Sequence, residues 1–318
     1  MQPSSRENDG GARFRFREVN DGPDDPRSLG PLAALLVLGF LSLPVYWKIA
    51  SLSADFAYDS EFQQRPILGF LALTGVAFTL YLAALWVAVR ATWTTRLTMT
   101  AVGFAIAFRA ILLFSEPIQE IDVYRYLWDG TVVAAGGDPY QYSPRQVLEV
   151  PADAAVPESL ARLAAVRDGF PAKREILERI HFAELPTVYP PVSQAVFALS
   201  AWSAPSDADA RTQVVAMKAW FLLFDLATLG LVFALLHWTG KPLGWSIAYG
   251  WCPLVLKEFA NSGHLDAIAV CLAAAAVYLM VRSLYPTGPC KHDPASPELG
   301  VGWKRSLTAS GGWLLLAL

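Results

Sequence analysis

Runs of apolar residues about as long as a bilayer is thick recur along this chain, at residues 29–50, 66–89, 97–114, 214–236 and 267–281. Each comes close to the roughly 20 residues an α-helix needs to cross the hydrocarbon core. A chain built this way must satisfy its backbone polar groups inside each span, so the expected fold is all-α: a polytopic integral membrane helical bundle. Two shorter apolar runs, at 190–202 and 243–256, are marginal for crossing. A last run begins near Leu307 and is still apolar at Leu318, so the chain is expected to continue beyond that residue.

Charge orients the spans. The polar tail, residues 1–28, holds Arg6, Arg13, Arg15, Arg17 and Arg27, and no small-residue cleavage site follows the first span. This predicts an uncleaved signal anchor with a cytoplasmic tail, followed by a transmembrane domain over 29–318. Arg90 and Arg96 put the second short loop on the cytoplasmic side too, and the third span then delivers a long loop, about 115–189, to the outside. Arg282, Lys291, Lys304 and Arg305 mark a further cytoplasmic segment. Counting back, residues 261–266 lie outside only if 190–202 does not cross, and cytoplasmic if it does; the outside placement is preferred. A net charge of −3 with no basic stripe excludes nucleic acid as an expected partner. The three cysteines, Cys252, Cys271 and Cys290, have no metal-ligand spacing and read as inert thiols.

The long loop opens on SEPIQEIDVYRYLWDGTVVAAGGDPYQYSP, residues 115–144, a cluster of acids and aromatics starting where a span ends. If Asp122 heads a helix, then Asp122, Arg125, Tyr126 and Asp129 share one polar face, and Val123, Leu127 and Gly130 turn elsewhere. Tyr124, Tyr126 and Trp128 are expected as interfacial anchors that hold Glu120 and Asp122 at headgroup depth, where a carboxylate can take a proton from an acceptor hydroxyl. Gly136-Gly137-Asp138-Pro139-Tyr140 reads as a helix stop and Tyr189-Pro190-Pro191 as a helix start. Between them, Leu160, Leu163 and Val166, then Ile176, Leu177 and Ile180, form the apolar stripes of two amphipathic helices suited to lie on the membrane and roof the site.

Lys218 and Asp225 sit two turns apart on one face of an apolar span. Ionisable groups in a membrane default to function, with snorkelling as the plainer alternative for Lys218. Lys257 to Asp266 form a polar linker in which His264 and Asp266 suit contact with a substrate hydroxyl or phosphate better than a metal, and loop capping serves as well.

In order, E-I-D-V-Y-R-Y-L-W-D-G, G-G-D-P-Y, Y-P-P, K-x6-D and N-S-G-H-L-D resemble the GT-C glycosyltransferases that use polyprenyl-phosphate sugars. The likeness is greatest to bacterial polyprenyl-phosphomannose-dependent mannosyltransferases and the catalytic subunit of the eukaryotic GPI first mannosyltransferase. It covers roughly 97–281 and leaves the N-terminal third unmatched. The resemblance implies a GT-C-like bundle in the plasma membrane, with an extracytoplasmic site and an acidic motif, commonly D-x-D, that supplies the base. Here Glu120 replaces the first Asp, so Asp122 is the expected base and Glu120 its companion. The implied reaction moves a sugar, mannose foremost, from a polyprenyl-phosphate donor to a glycan or glycolipid acceptor with inversion. Neither a cofactor nor an obligatory metal is expected. Arg125, Lys218, Lys257 and His264 are expected around the donor phosphate, and Tyr126, Asp129, Tyr140, Tyr189, Asp225 and Asp266 complete the expected substrate-binding set. Two other classes fit the same spans: a transporter or flippase for lipid-linked sugars, with Lys218, Asp225 and His264 lining a path, and a non-catalytic subunit of an envelope assembly complex.

Overall fold

The computed structural model describes residues 26–151 and 154–285. The tail up to residue 25, Cys290, Lys291, Lys304, Arg305 and the last apolar run lie outside the described residues. The described chain is helical throughout: α1 (Pro26–Leu52), α2 (Ile67–Arg90), α3 (Thr95–Leu113), α4 (Asp122–Ala134), α5 (Pro144–Leu148), α6 (Glu158–Gly169), α7 (Pro171–Glu178), α8 (Pro191–Ser203), α9 (Ala210–Trp238), α10 (Ile247–Gly250), α11 (Pro253–Val255) and α12 (Asp266–Leu284). Five of these, α1, α2, α3, α9 and α12, are long and apolar enough to cross a membrane. They carry Phe40, Trp47, Leu68, Trp86, Met99 and Leu223 exposed on their outer faces. Lipid covers such surface as readily as protein does, so the bundle's outside need not be polar.

Contacts between the ends fix the topology. The loop after α1 meets the residues between α7 and α8, where Arg179 pairs with Asp59 at 2.9 Å, so both lie at the end of the bundle that carries Glu116 to Asp122, the acidic end. The 13-residue α8 begins on a proline at its first turn, packs along α4 and returns to the same end, where Arg211 pairs with Glu116 at 3.3 Å. The run at 190–202 therefore does not cross. Gly130 makes the α4–α8 approach this close: a Cβ there would lie 2.3 Å from the Phe197 carbonyl oxygen.

The second marginal run does cross, as a broken helix. From Gly244, packed on the Ala88 carbonyl at the far end, the chain climbs through a 3₁₀ turn (Leu243–Ser246), α10, α11 and a π-helical turn (Leu256–Ser262) to Asn261 at the acidic end. Pro253 removes one backbone donor, and the turn at Gly250 frees a carbonyl. Arg109 of α3 fills the gap, donating to Gly250 O at 2.8 Å while its other nitrogens pair with Asp225 at 2.5 and 3.1 Å. Tyr249 donates to the same Asp225 at 2.7 Å. Non-helical backbone at membrane depth is tolerated when protein groups satisfy it in this way. Residues 261–266 thus share the acidic end with Glu120, the arrangement preferred from charge counting.

Two expectations change. The amphipathic helices α6 and α7 do not lie on lipid: Leu160, Leu163, Ile176 and Leu177 are buried, with α7 packed against α4 and α9. Lys173 of α7 is buried as well, donating to Thr131 at 2.9 Å and Gln213 at 2.7 Å, and burial lowers its ammonium to about 8. Tyr124, Tyr126 and Trp128 are core residues, not interfacial anchors, because α7 and α8 close over α4 on both sides.

Candidate active site

The site forms where α4 begins. Gln119 adopts a left-handed φ of 57°, which turns the chain so that the Glu120 carboxylate folds back on the start of the helix. Its Oε1 accepts from the Ile121 amide at 2.9 Å and the Asp122 amide at 2.7 Å, filling donors that the first turn leaves open. Its Oε2 lies 2.7 Å from His264 Nε2. Burial pushes the Glu120 carboxyl up, but the hydrogen bonds from His264 and the two amides outweigh it and the net shift is downward. The hydrogen bond to Glu120 raises His264 to about 9 against the effect of burial. His264 is therefore an imidazolium at neutral pH, held on its other side by Asp266 at 3.0 Å. Glu258 stands 3.8 Å from the same ring and pairs with Lys257 at 3.2 Å.

Asp122 is the first residue of α4 and is half-buried. Its Oδ2 accepts from the Tyr189 hydroxyl at 3.3 Å; among the described residues, Oδ1 has no hydrogen-bond partner. Tyr189 is fixed from several directions. Tyr126 packs edge-on against it with centroids 5.1 Å apart and hydrogen-bonds its hydroxyl, and Tyr140 donates to its carbonyl at 2.6 Å. Burial raises the hydroxyls of Tyr126 and Tyr189, so both remain protonated donors. The acidic residues of the motif thus have different neighbours: Glu120 is saturated, and Asp122 keeps an open oxygen.

The other expected site residues divide into those at this centre and those engaged elsewhere. Arg125 and Asp129 form a buried pair at 3.0 Å; Arg125 also donates to Leu185 O at 2.9 Å, and Gln194 donates to Asp129 at 3.2 Å. Burial pushes the Asp129 carboxyl up despite these partners. The pair ties the segment before α8 onto α4, so it positions Tyr189. Lys218 does not snorkel: it is fully buried, donating to the Leu112 and Ser115 carbonyls at 2.9 and 2.7 Å where α3 ends. Asp225 is held by Arg109 and Tyr249. The structure spends both ions on backbone and side-chain groups of the bundle, because the end of α3 and the break at Gly250 need partners that lipid cannot supply. Both side chains are fully buried.

Several residues at the site were not anticipated. Asn261 clamps the loop before the acidic motif, accepting from the Ile118 amide at 3.1 Å and donating to Ser115 and to Glu116 O at 2.8 Å each. Arg109 had a sequence signal, an ionisable residue inside a span, as strong as that of Asp225. Glu258 and Asn261 lay in the polar linker read from the sequence but were given no role there, and Gln194 had no signal. Among the described residues, no group of three or more imidazole, thiolate and carboxylate side chains is arranged to hold a metal ion. Beside Glu120, a cleft of about 270 Å³ opens between the α1–α2 loop and the α3–α4 loop, lined by Tyr58, Arg65, Glu116, Gln119, Glu120 and Tyr124 among others.

Residues 30–166 match the family model for the alpha-(1->6)-mannopyranosyltransferase N-terminal domain. The match spans somewhat less than half of the chain. The matched family is one of mannosyltransferases, a class of hexosyltransferase, and the five candidate spans fit a multi-pass membrane protein. The match takes in most of α1 and all of α2, so it reaches into the N-terminal third, for which the motif resemblance had no counterpart. No curated protein matches the chain, and no solved structure does.

Proposed function

We infer that the protein transfers mannose from a polyprenyl-phosphate donor to a sugar hydroxyl at the extracytoplasmic membrane surface, with Asp122 as general base. The observation that carries this reading is the asymmetry of the acidic motif, in which Asp122 alone keeps an oxygen with no protein partner. In the step envisaged, the acceptor hydroxyl gives its proton to Asp122 while its oxygen forms a bond to the anomeric carbon. The bond from that carbon to the phosphate oxygen breaks, and polyprenyl phosphate leaves with the electron pair. Attack opposite the leaving group inverts the configuration. Glu120 orients the start of α4 and holds His264 as a cation nearby; Tyr189 orients Asp122. An acceptor offering a primary 6-hydroxyl follows from the linkage in the family's description.

The test supplies the protein, purified in lipid, with polyprenyl-phosphate mannose, glucose or arabinose and an α-mannoside acceptor. Consumption of the mannose donor with formation of a 1→6 linkage supports the reading; consumption of another donor alone, or of none, ends it.

A further inference from the structure

The cations expected around the donor phosphate are largely committed. Arg125 is paired with Asp129, Lys218 with the end of α3, Lys257 with Glu258 and His264 with Glu120. The cleft beside Glu120 contains a cation outside the expected phosphate-binding set. Arg65, three residues after a short 3₁₀ turn (Phe62–Gln64) begins, is the one cationic residue among those lining the cleft. Its guanidinium stacks 5.3 Å from the Phe62 ring centroid, and its Nε, shut off from solvent, has no hydrogen-bond partner. Among the described residues no carboxylate pairs with this guanidinium, so its charge is left to an anion that enters the cleft.

The acids of the cleft do not supply a partner. Glu116 is paired with Arg211 and Glu120 with His264, so the charge of Arg65 is the uncompensated one among the lining groups. Phe56, Ala57 and Pro117 give the cleft apolar wall as well, at the bundle end where a lipid headgroup would sit. Arginine's planar fork matches a phosphate better than a point charge does. We propose that Arg65, on the α1–α2 loop, binds the phosphate of a lipid-borne phosphate ester in this cleft. The proposal rests on the reading of the acidic end as the transfer site. It assigns the donor phosphate to a residue that precedes the acidic motif by two spans, α2 and α3, not to an intramembrane ion.

The experiment measures binding, independent of turnover. Polyprenyl monophosphate, the product of transfer, is titrated against protein in nanodiscs of zwitterionic lipid; phosphatidylglycerol and inorganic phosphate are run as competitors, and thermal unfolding as the control for folding. Losing one charge-assisted bidentate contact should weaken polyprenyl phosphate about 10- to 100-fold in Arg65→Gln, with unchanged unfolding temperature and partial retention in Arg65→Lys. Equal binding by Arg65→Gln and the unsubstituted chain overturns the assignment. So does competition by phosphatidylglycerol or inorganic phosphate at the same concentration, which would make the cleft a general anion site. Should Arg65→Gln fail to fold, Phe62→Ala, which removes the ring under the guanidinium, replaces it with the same outcomes. If binding depends on Arg65 while no mannose is transferred, the site stands and the transferase reading fails.

Discussion

Replacing Asp122 by Asn separates the chemistry from the architecture. An Asn side chain at the start of α4 still offers one oxygen to the Tyr189 hydroxyl, so the 3.3 Å contact survives as a neutral hydrogen bond. The loss of charge assistance there, with the loss of a carboxylate at a helix N-terminus, should cost about 1–2 kcal/mol of stability. Against a total of roughly 5–15 kcal/mol, the protein stays folded. The base, by contrast, is gone, because an amide does not accept a proton near neutrality. Losing a positioned general base lowers turnover by about two to four orders of magnitude, or about 3–5 kcal/mol in the barrier. The assay is transfer of labelled mannose from polyprenyl-phosphate mannose, read beside thermal unfolding in the same lipid. A small unfolding shift with a hundredfold or greater loss of turnover is the expected pair. Turnover within tenfold of the unsubstituted chain would refute the assignment, and if Glu120→Gln were then inactive, the base would be Glu120.

Glu120→Gln should let His264 fall from about 9 toward its ordinary value, which a titration followed by NMR of the labelled imidazole detects; an unmoved His264 would mean the contact is absent. Because His264 is raised in the folded state, its contribution to stability is fully present below about 6.5 and is lost as pH rises through about 9, so the unfolding temperature should decline across that window and flatten in Glu120→Gln. Lys218→Met leaves the Leu112 and Ser115 carbonyls without their donor and should destabilise the bundle by about 1–3 kcal/mol per orphaned group, with the donor KM of the folded fraction unchanged; a raised KM at unchanged stability would restore a ligand role. A cysteine at the exposed Gln141 should react with an impermeant thiol reagent from outside intact cells, and one at the exposed Lys241, at the opposite end, should not; the reverse pattern would turn the protein over in the membrane.

What the sequence made legible follows from the range over which each signal acts. The five long spans were readable because a bilayer imposes a length and a polarity on each helix separately. The start of α4 at Asp122, the stop at Gly136 with its φ of 73° and the start of α8 at Pro191 were readable because caps, glycines and prolines act within a turn. The roles of Lys218 and Asp225 were not, since their partners lie 103 and 116 residues away along the chain. Rules for intramembrane ions say that such groups have partners, but not whether the partner is a ligand or a frayed helix end. The amphipathic stripes of α6 and α7 were correctly drawn and wrongly covered. An apolar stripe specifies that something buries it, and here α4 and α9 cover α7, and α5 and α7 cover α6, where lipid was expected.

The broken passage from Gly244 to Ser262 links these partial readings. The family match ends at residue 166, yet the acidic motif is completed by Tyr189, Glu258, His264 and Asp266, all beyond it. A straight helix ending at residue 262 would carry its last turns through the bundle with every backbone group paired. The π-helical turn and Gly263, at a φ of 69° and packed against Lys218, instead swing His264 over the Glu120 carboxylate. That departure leaves backbone groups unpaired at membrane depth, each costing several kcal/mol if nothing meets it. Arg109 meets the carbonyl at Gly250, and a lone arginine there would be costlier than the gap it fills, so Asp225 and Tyr249 accompany it. The ions that look in sequence like ligand groups thus serve the site at one remove: they make affordable the irregular backbone that brings His264 to Glu120, and through Glu120 they set the start of the helix on which Asp122 stands.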